Sequence, residues 1–425
     1  MLSITGNAKL NAINGNLTIY RGTANLGNTW LKSGNNITIA GWVLTGTGAL
    51  DMDAANAILI AGSTITTTGD VTKTAHDIFV TDSTITTDGD LNKIAGNDIS
   101  VEGSIIEAGG DLSKTAGNDI FVEGSTITTT ADGNLSKTAG NDIYVSDSKI
   151  MADGNLNKIA GNDISVEDSD ITAGGNLKKT AENELSIAGS DLTVAGNTNL
   201  TSTNGNLTIS DGKANFGGDT QLKSGSNLSI ADWELNNTGK LDMTAEKNIS
   251  VTGSDLIAGD TTMTAKGDLS IVGTTVSFES AMLKGNNVTI LNSPQFDVHG
   301  NLGIDAANRL TAMNVVGRIG GITGDNGIAD FDALGFHLFS WHFYTKTVLL
   351  AGIDIYNDPI YWNSLAYDRI IRNINGGFGW NMSGNQDEDE WDELIDGSWL
   401  PEEDVTLEAL EDIGQIGIPV AAVQR

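Results

Sequence analysis

The sequence predicts an all-β protein, a parallel β-helix with about 21 residues in each rung and three short strands per rung. Three observations carry this prediction. Nearly identical phrases recur at a constant spacing, apolar residues alternate with polar ones inside each phrase, and turn-forming residues separate the alternating stretches. A fixed period of 20–50 residues is typical of repeat architectures in which each copy packs against the next.

The period follows from the first aliphatic residue of each phrase. "GNDIFVEGSTITTT" begins at Gly117, and close copies begin at Gly96, Gly140 and Gly161. The corresponding aliphatic positions are Leu17, Ile37, Ile58, Ile78, Ile99, Ile120, Ile143, Ile164, Leu185, Leu207, Leu228, Ile249, Leu269 and Val288. Two extra residues between Ile120 and Ile143 are expected to bulge out at a corner.

Each unit reads as three strands and three corners. In "NDISVEGSIIEAGGDLSKTAG", Ile99 and Val101 point to one side and Ser100 to the other, which is the period of a strand. Ile106 marks a second strand and Leu112 a third. Gly, Asp, Asn and Ser lie between them and favour tight turns. Because no two-residue hairpin turn links these strands, the chain is expected to coil.

Stacking explains the repetition. Equivalent residues of successive rungs lie about 4.8 Å apart, so Ile99 is expected to stack on Ile78 and Ile120. About fifteen such rungs would make a rod near 70 Å long. Two further columns are predicted. An inward ladder of side-chain amides comprises Asn97, Asn118, Asn141 and Asn162, and a variable outward column comprises Phe79, Ser100, Phe121, Tyr144 and Ser165.

The composition of the chain disfavours several kinds of partner and metal site. The 425 residues include 52 Gly, 4 Pro and no Cys, and the net charge is −32. Such an acidic surface disfavours nucleic acid and anionic lipid as partners. The lack of Cys excludes disulfides and thiolate metal sites. No apolar run is long enough for a membrane-spanning helix. The first residues lack a signal-peptide pattern and already read as repeat, which favours a fragment of a larger protein.

Three regions are predicted along the chain. Residues 1–307 form the β-helix, residues 308–400 form a C-terminal cap or small module, and residues 401–425 form a short helix and a tail. The helix is expected between Pro401 in its first turn and Gly414 at its end. A β-helix needs a cap over its open end. The alternative for this region is a separate binding module that uses three tryptophans, Trp341, Trp362 and Trp380.

No catalytic residue and no cofactor are predicted. The sequence contains no Ser-His-Asp arrangement, phosphate loop or HExxH motif, and the corners of the repeat are short. His337 and His342 lie five residues apart, so on a strand they would face opposite sides and share a metal poorly. The identity of any metal site is left open.

Three groups of polar residues each have both a functional and a structural interpretation. The aspartates of the repeat could hold calcium or cap the turn backbone, and they are Asp77, Asp98, Asp119, Asp142 and Asp163. The acidic run Asp387–Asp396 could bind calcium or a basic partner, or be a solvated linker. Several Asn-x-Ser/Thr triplets could accept glycans or simply reflect the repeat pattern, and they start at Asn16, Asn36, Asn206, Asn227, Asn248 and Asn287.

The repeats resemble those of filamentous-haemagglutinin-type proteins, which are large bacterial exoproteins of the two-partner secretion type. The resemblance rests on "NGNLTI", "GNDISVEGSII" and "KNISVTGSDLIAGDTTMTAKGDLSIVG", and it covers about residues 1–305. It implies a right-handed β-helix, export across the envelope and adhesion. The "NPNG" and "NPxGI" motifs of the family's secretion domain do not occur in this sequence, and the resemblance does not extend to the C-terminal 115 residues.

These observations favour a non-catalytic extracellular adhesin stalk at the bacterial cell surface. The expected partners are glycans or proteins of a host cell, a neighbouring cell or another surface, with end-to-end self-association as a further possibility. Nucleic acid and a membrane span are not expected. The alternatives are a self-assembling filament or surface-layer subunit, and a carbohydrate-active β-helix enzyme.

Overall fold

The structure is a computed structural model that describes residues 6–317, 319–321, 331–333, 336–345 and 348–350. Side chains are described for residues 6–300 and 302–307. The described residues form strands and turns without a helix, and so contain no helix that could cross a membrane. The chain divides into two units, Met1–Gly225 and Ser226–Arg425, each described by itself.

The strands of unit 1 are β1 (Ala8–Ala12), β2 (Leu17–Leu26), β3 (Thr29–Ser33), β4 (Ile37–Gly46), β5 (Leu50–Ala54), β6 (Ala57–Ala61), β7 (Thr64–Thr67), β8 (Val71–Ala75), β9 (Asp77–Thr81), β10 (Thr84–Thr87), β11 (Leu91–Ala95), β12 (Ile99–Glu102), β13 (Ile105–Ala108), β14 (Leu112–Ala116), β15 (Ile120–Glu123), β16 (Thr126–Thr129), β17 (Leu135–Ala139), β18 (Ile143–Ser146), β19 (Lys149–Ala152), β20 (Leu156–Ala160), β21 (Ile164–Glu167), β22 (Asp170–Ala173), β23 (Leu177–Ala181), β24 (Leu185–Ala188), β25 (Asp191–Val194), β26 (Thr198–Ser202), β27 (Leu207–Ser210), β28 (Lys213–Phe216) and β29 (Thr220–Ser224). The strands of unit 2 are β30 (Leu228–Ala231), β31 (Glu234–Asn237), β32 (Leu241–Ala245), β33 (Ile249–Thr252), β34 (Asp255–Ala265), β35 (Leu269–Val272), β36 (Thr275–Leu291), β37 (Phe296–Gly317), β38 (Ile319–Gly321), β39 (Phe331–Ala333), β40 (Phe336–Thr345) and β41 (Val348–Leu350).

Unit 1 is a β-solenoid with three faces, and each strand pairs in parallel with its copies in the rungs before and after it. Face A contains β6, β9, β12, β15, β18, β21, β24 and β27. Face B contains β7, β10, β13, β16, β19, β22, β25 and β28. Face C contains β3, β5, β8, β11, β14, β17, β20, β23, β26 and β29. Ile99 pairs with Ile78 and Ile120, as predicted. The predicted fold class, a parallel β-helix of about 21 residues per rung, is confirmed.

The core is built from the inward residues of the three faces. In one rung, Ile99 and Val101 of face A, Ile106 of face B and Leu112 of face C are fully buried. Burying a side chain of this size stabilises the fold by about 1.5–3 kcal/mol. A single rung has no interior of its own, so this burial depends on the rungs that cover it on both sides.

The corner between faces A and B combines a left-handed residue with a buried serine. Gly103 has a φ of 55° and Asp82, its equivalent one rung earlier, a φ of 47°. Gly and Asp tolerate this conformation better than most residues. At the next position, Ser104 Oγ accepts a hydrogen bond from the backbone N–H of Ser83 and donates one to the Glu102 carbonyl. The serines thus form a column that satisfies backbone groups at a turn.

The other two corners carry ladders of Asp and Asn. At the corner between faces C and A, Asp77 Oδ1 accepts the backbone N–H of Asp98. At the corner between faces B and C, Asp90 Oδ1 accepts the N–H of Asp111. Each side chain therefore caps the backbone of the next rung, which requires a short side chain with an acceptor oxygen.

The predicted inward ladder of asparagine amides is wrong in its partners and its place. Asn118 lies half-buried at the corner between faces C and A, and its Nδ2 donates to Asp98 Oδ1 and to Asp119 Oδ2. A carboxylate only accepts, and it has room for several donors, so it joins amides of adjacent rungs better than a second amide does. An amide–amide bond occurs between Asn183 and Asn162.

The extra residues before Ile143 lie at a corner, as predicted, and the structure shows that it is the corner between faces B and C. Ala131 and Asp132 have φ values of 51° and 64°, and Gly133 N–H donates to the Thr130 carbonyl. The insertion closes its own turn, and β16 and β17 keep the register of their neighbours.

Unit 2, taken by itself, has the same kind of parallel stacking. The register joins Met243, Met263, Leu283 and Ile304. Parallel pairing extends past residue 307, because β37 pairs with β40, while β40 and β41 pair antiparallel. The helix predicted from Pro401 lies outside the described residues.

Candidate functional site

A column of exposed apolar side chains lies on face A of unit 1. It contains Leu59, Phe79, Phe121 and Tyr144, with Ser100 between the two phenylalanines. We call these five residues the face-A stripe. Phe79, Phe121 and Tyr144 are each 38% exposed. The outward direction of this column was predicted. In the following rungs it is occupied by Ser165, Ser186 and Thr208.

The aromatic rings of the stripe are held in place. Phe121 and Tyr144 stack with their centroids 5.2 Å apart and their planes within 6°. The Tyr144 hydroxyl donates a hydrogen bond of 3.0 Å to Asp142 Oδ2, which raises the pKa of the phenol. Stacked rings of this kind offer rigid apolar area at low entropic cost.

Carboxylates border the stripe on both sides. The aspartates of the corner between faces C and A lie two residues before it, and the exposed carboxylates of Glu102 and Glu123 lie two residues after Ser100 and Phe121. Aromatic surface beside acidic groups favours polar or cationic partners over anionic ones.

The five aspartates predicted as calcium ligands or turn caps form a column at the corner between faces C and A, and each caps the backbone of the next rung. Asp77 shows the balance of forces. Burial raises the pKa of its carboxyl, but hydrogen bonds from Asn97, His76 and the Asp98 amide outweigh burial, so that the pKa lies below its usual value. No group of three or more His, Asp or Glu side chains in the described part of the chain could hold a metal ion.

Face C carries a feature that sequence reasoning missed. Lysine occupies the central inward position of six consecutive strands, and each of these lysines is fully buried. The register is continuous, because each lysine pairs with the next at a rung spacing of about 4.8 Å. We call this set the lysine column, and its members are Lys73, Lys93, Lys114, Lys137, Lys158 and Lys179.

The amines of the lysine column have no hydrogen-bond partner among the protein atoms that the structure describes. Burial lowers the pKa of Lys73 and of Lys158 to about 7. For Lys114, burial and then the neighbouring lysines lower the pKa well below its usual value. Each amine therefore lies in a site that disfavours its charged form.

A sequence signal for this column exists. In "LSKTA" the lysine stands between Leu112 and Ala116 at period two, so it shares their side of the strand. That pattern places Lys114 inward as firmly as it does Leu112. The expectation that lysine is seldom fully buried opposed this assignment.

The other sequence-predicted residues are the histidines, tryptophans and acidic run of the C-terminal part and the possible glycan acceptors. His337, Trp341 and His342 belong to β40, whose side chains are not described. Trp362, Trp380 and Asp387–Asp396 lie outside the described residues. Of the possible glycan acceptors, Asn36 and Asn248 cap the next rung, with Oδ1 accepting the N–H of Ala57 and Asp268 respectively.

Residues 63–211 match the family model described as hemagglutinin repeat. These residues form a filamentous-haemagglutinin-type β-helical repeat. No curated protein and no solved structure gave a significant match. The haemagglutinin-type repeat contains Phe79, Phe121 and Tyr144 of the face-A stripe and the whole lysine column. The repeat is of a structural type that suggests adhesin filaments and a role without catalysis.

Proposed function

We propose that this chain is a stalk segment of an extracellular bacterial adhesin, and that it attaches to glycans or proteins on cells or other surfaces. The observation that carries the proposal is the haemagglutinin-type repeat at residues 63–211, which contains an exposed aromatic column on face A. A solenoid of stacked rungs presents a long regular surface, as repeat proteins commonly do for binding.

The face-A stripe is the surface that we assign to attachment. Aromatic side chains dominate the energetics of many interfaces, and exposed apolar clusters with a polar rim mark interaction sites. Phe121 and Tyr144 are pre-ordered by their stacking, and carboxylates border them. The matching column in the later rungs of unit 1 is Ser165, Ser186 and Thr208, which offers little apolar area.

Binding of the full chain to a printed array of defined glycans and purified extracellular proteins tests the proposal. The double variant Phe121→Ser, Tyr144→Ser should bind its ligands at least roughly tenfold more weakly than the parent, because interface aromatics of this kind are typical hot spots.

The matched control is the double variant Ile94→Ser, Ile159→Ser. These two side chains are exposed on face C and lie in the same haemagglutinin-type repeat. The control should bind like the parent. Equal binding by parent, stripe variant and control, with unchanged circular dichroism, would contradict attachment through the stripe.

Export and a location at the cell surface belong to the same proposal. An antibody against the chain should label intact bacteria that express the complete gene, and protease added to intact cells should remove the label. Label that appears only after the cells are permeabilised would overturn the extracellular assignment.

A further inference from the structure

The lysine column is independent of the stripe and demands its own explanation. Its six amines lie inside the solenoid on consecutive rungs, and their stems occupy positions that Leu31, Met52, Leu200 and Leu222 fill elsewhere in unit 1. A lysine stem resembles methionine in length and apolar character, so the packing can be kept. Lysine differs from these leucine and methionine side chains in its terminal amine.

No acidic group faces the column from the other two faces. Between residues 71 and 194, the inward side chains of faces A and B are Ile, Val, Leu, Ala, Thr and Ser. Asp142 is the one buried carboxylate of that range, and it lies at the corner between faces C and A, bonded to Asn162 and Tyr144. The other charged residues of face C, such as Lys178, point outward.

Six ammonium groups in such a column would be unstable. Each would lose its hydration, and each would repel like charges about 4.8 Å away. A buried charge without a partner normally neutralises instead. Neutral amines remove both costs and keep the apolar stems in place.

We propose that the six lysines are neutral amines in the folded solenoid and that their protonation opens residues 71–181 as a unit. Folding of this stretch therefore releases protons, because the same lysines are ammonium groups in the unfolded chain at neutral pH. The haemagglutinin-type repeat then contains a segment whose stability follows the pH of its surroundings, flanked in unit 1 by rungs that lack this dependence.

The direction of the effect follows from the two states. As pH falls from about 10.5 toward about 7, an opened segment binds protons that the folded segment does not, so stability is lost through this window. Below its folded pKa a lysine is protonated in both states and adds no further change, and for Lys73 and Lys158 this point lies at about pH 7. Stability rises again as pH is raised.

Hydrogen–deuterium exchange of the full chain, read peptide by peptide between pH 6.5 and pH 9.5, tests the proposal. After correction for the intrinsic rate, peptides within residues 71–181 should lose at least tenfold protection between pH 9.5 and pH 7. Peptides within residues 198–224 should keep theirs. Equal behaviour of the two stretches would overturn the proposal.

Two triple variants separate the effect of the buried lysines from that of exposed lysines. Lys93→Met, Lys114→Met, Lys137→Met should flatten the pH dependence of residues 71–181. The control Lys149→Met, Lys178→Met, Lys223→Met changes three exposed lysines and should leave it unchanged. Unaltered pH dependence in the first variant would contradict a role for the column.

Nitrogen NMR of chain labelled with 15N-lysine reports the charge directly, because neutral and protonated amines resonate apart. At pH 8.5 the parent should show neutral-amine signals from all six column lysines, and the first triple variant should keep only those of Lys73, Lys158 and Lys179. If all lysines gave ammonium signals, the column would be charged and paired by small anions from solution, and the proposal would be wrong.

Discussion

The lysine rungs and the aliphatic rungs of unit 1 share the same backbone pattern and differ in the central inward column of face C. From β3 to β29, the central inward residue of face C reads Leu31, Met52, then six lysines, then Leu200 and Leu222. Strand length and parallel register stay the same across the change. The inward position of face C therefore accepts side chains of similar length and volume, whether they end in a methyl group or in an amine.

The two kinds of rung differ in what the central inward side chain of face C contributes to stability. The aliphatic rungs obtain only burial from this position, which stabilises by about 1.5–3 kcal/mol per side chain. The lysine rungs obtain burial of the stem but must also desolvate an amine. Lysine therefore lowers the stability of its rungs relative to an apolar side chain of similar length, and the fold of these rungs is unchanged.

The largest expected effect comes from a lysine that cannot neutralise. Lys179→Arg places a guanidinium, which stays protonated in proteins, at a fully buried site without an acidic partner. We expect a loss of about 4 kcal/mol or more in the free energy of unfolding, measured by urea denaturation.

Its control is the neighbouring residue. Lys178 lies on the same strand with an exposed side chain. Lys178→Arg should change the free energy of unfolding by less than about 0.5 kcal/mol. Similar losses in both variants would show that Lys179 is not confined by the core.

Moving the amine into an aliphatic rung should have the next largest effect. Leu200→Lys extends the column by one position, because Leu200 pairs directly with Lys179. We expect a loss of roughly 3 kcal/mol at pH 7, where the unfolded chain holds the extra proton, and a smaller loss at pH 10.

Leu200→Met is the matched change without an amine and should cost less than about 1.5 kcal/mol at either pH. A pH-independent loss in Leu200→Lys would indicate a steric cause. The difference between the two variants, measured by urea denaturation at both pH values, isolates the amine.

Removing one amine should stabilise the lysine rungs. Lys114→Met keeps an unbranched stem in the centre of the column, and replacing a buried charge or amine with an apolar group of similar volume often stabilises by about 1–4 kcal/mol. The expected result is a higher midpoint of urea denaturation at pH 7 and a smaller gain at pH 10. A lower midpoint at pH 7 would show that the amine makes a favourable interaction in the folded chain.

The smallest predicted effect concerns a feature that both kinds of rung share. Ser104→Ala removes the oxygen that accepts the backbone N–H of Ser83 at a buried corner. We expect a loss of about 1–2 kcal/mol in the free energy of unfolding, the same at pH 7 and pH 10. An unchanged stability would mean that water or another acceptor replaces the hydroxyl.

Much of the fold could be predicted from the repeat. The stacking of Ile78, Ile99 and Ile120 and the exposure of Phe121 both follow from period-two alternation repeated every 21 residues or so. The partners of Asn118 could not be predicted, because a half-buried corner residue can reach several acceptors at once. The lysine column was missed because the usual exposure of lysine outweighed the local pattern of "LSKTA".

The repeat pattern accounts for the coil, the rung length, the strands and the corners, because every copy of the phrase is also the neighbour of the next copy. What each column does depends on the tertiary structure. Only the closure of three faces shows that the side of the strand shared by Leu112, Lys114 and Ala116 is a sealed interior with no carboxylate opposite the amine. This burial, which cannot be seen from a single strand, favours the neutral form of the lysine amine over its charged form.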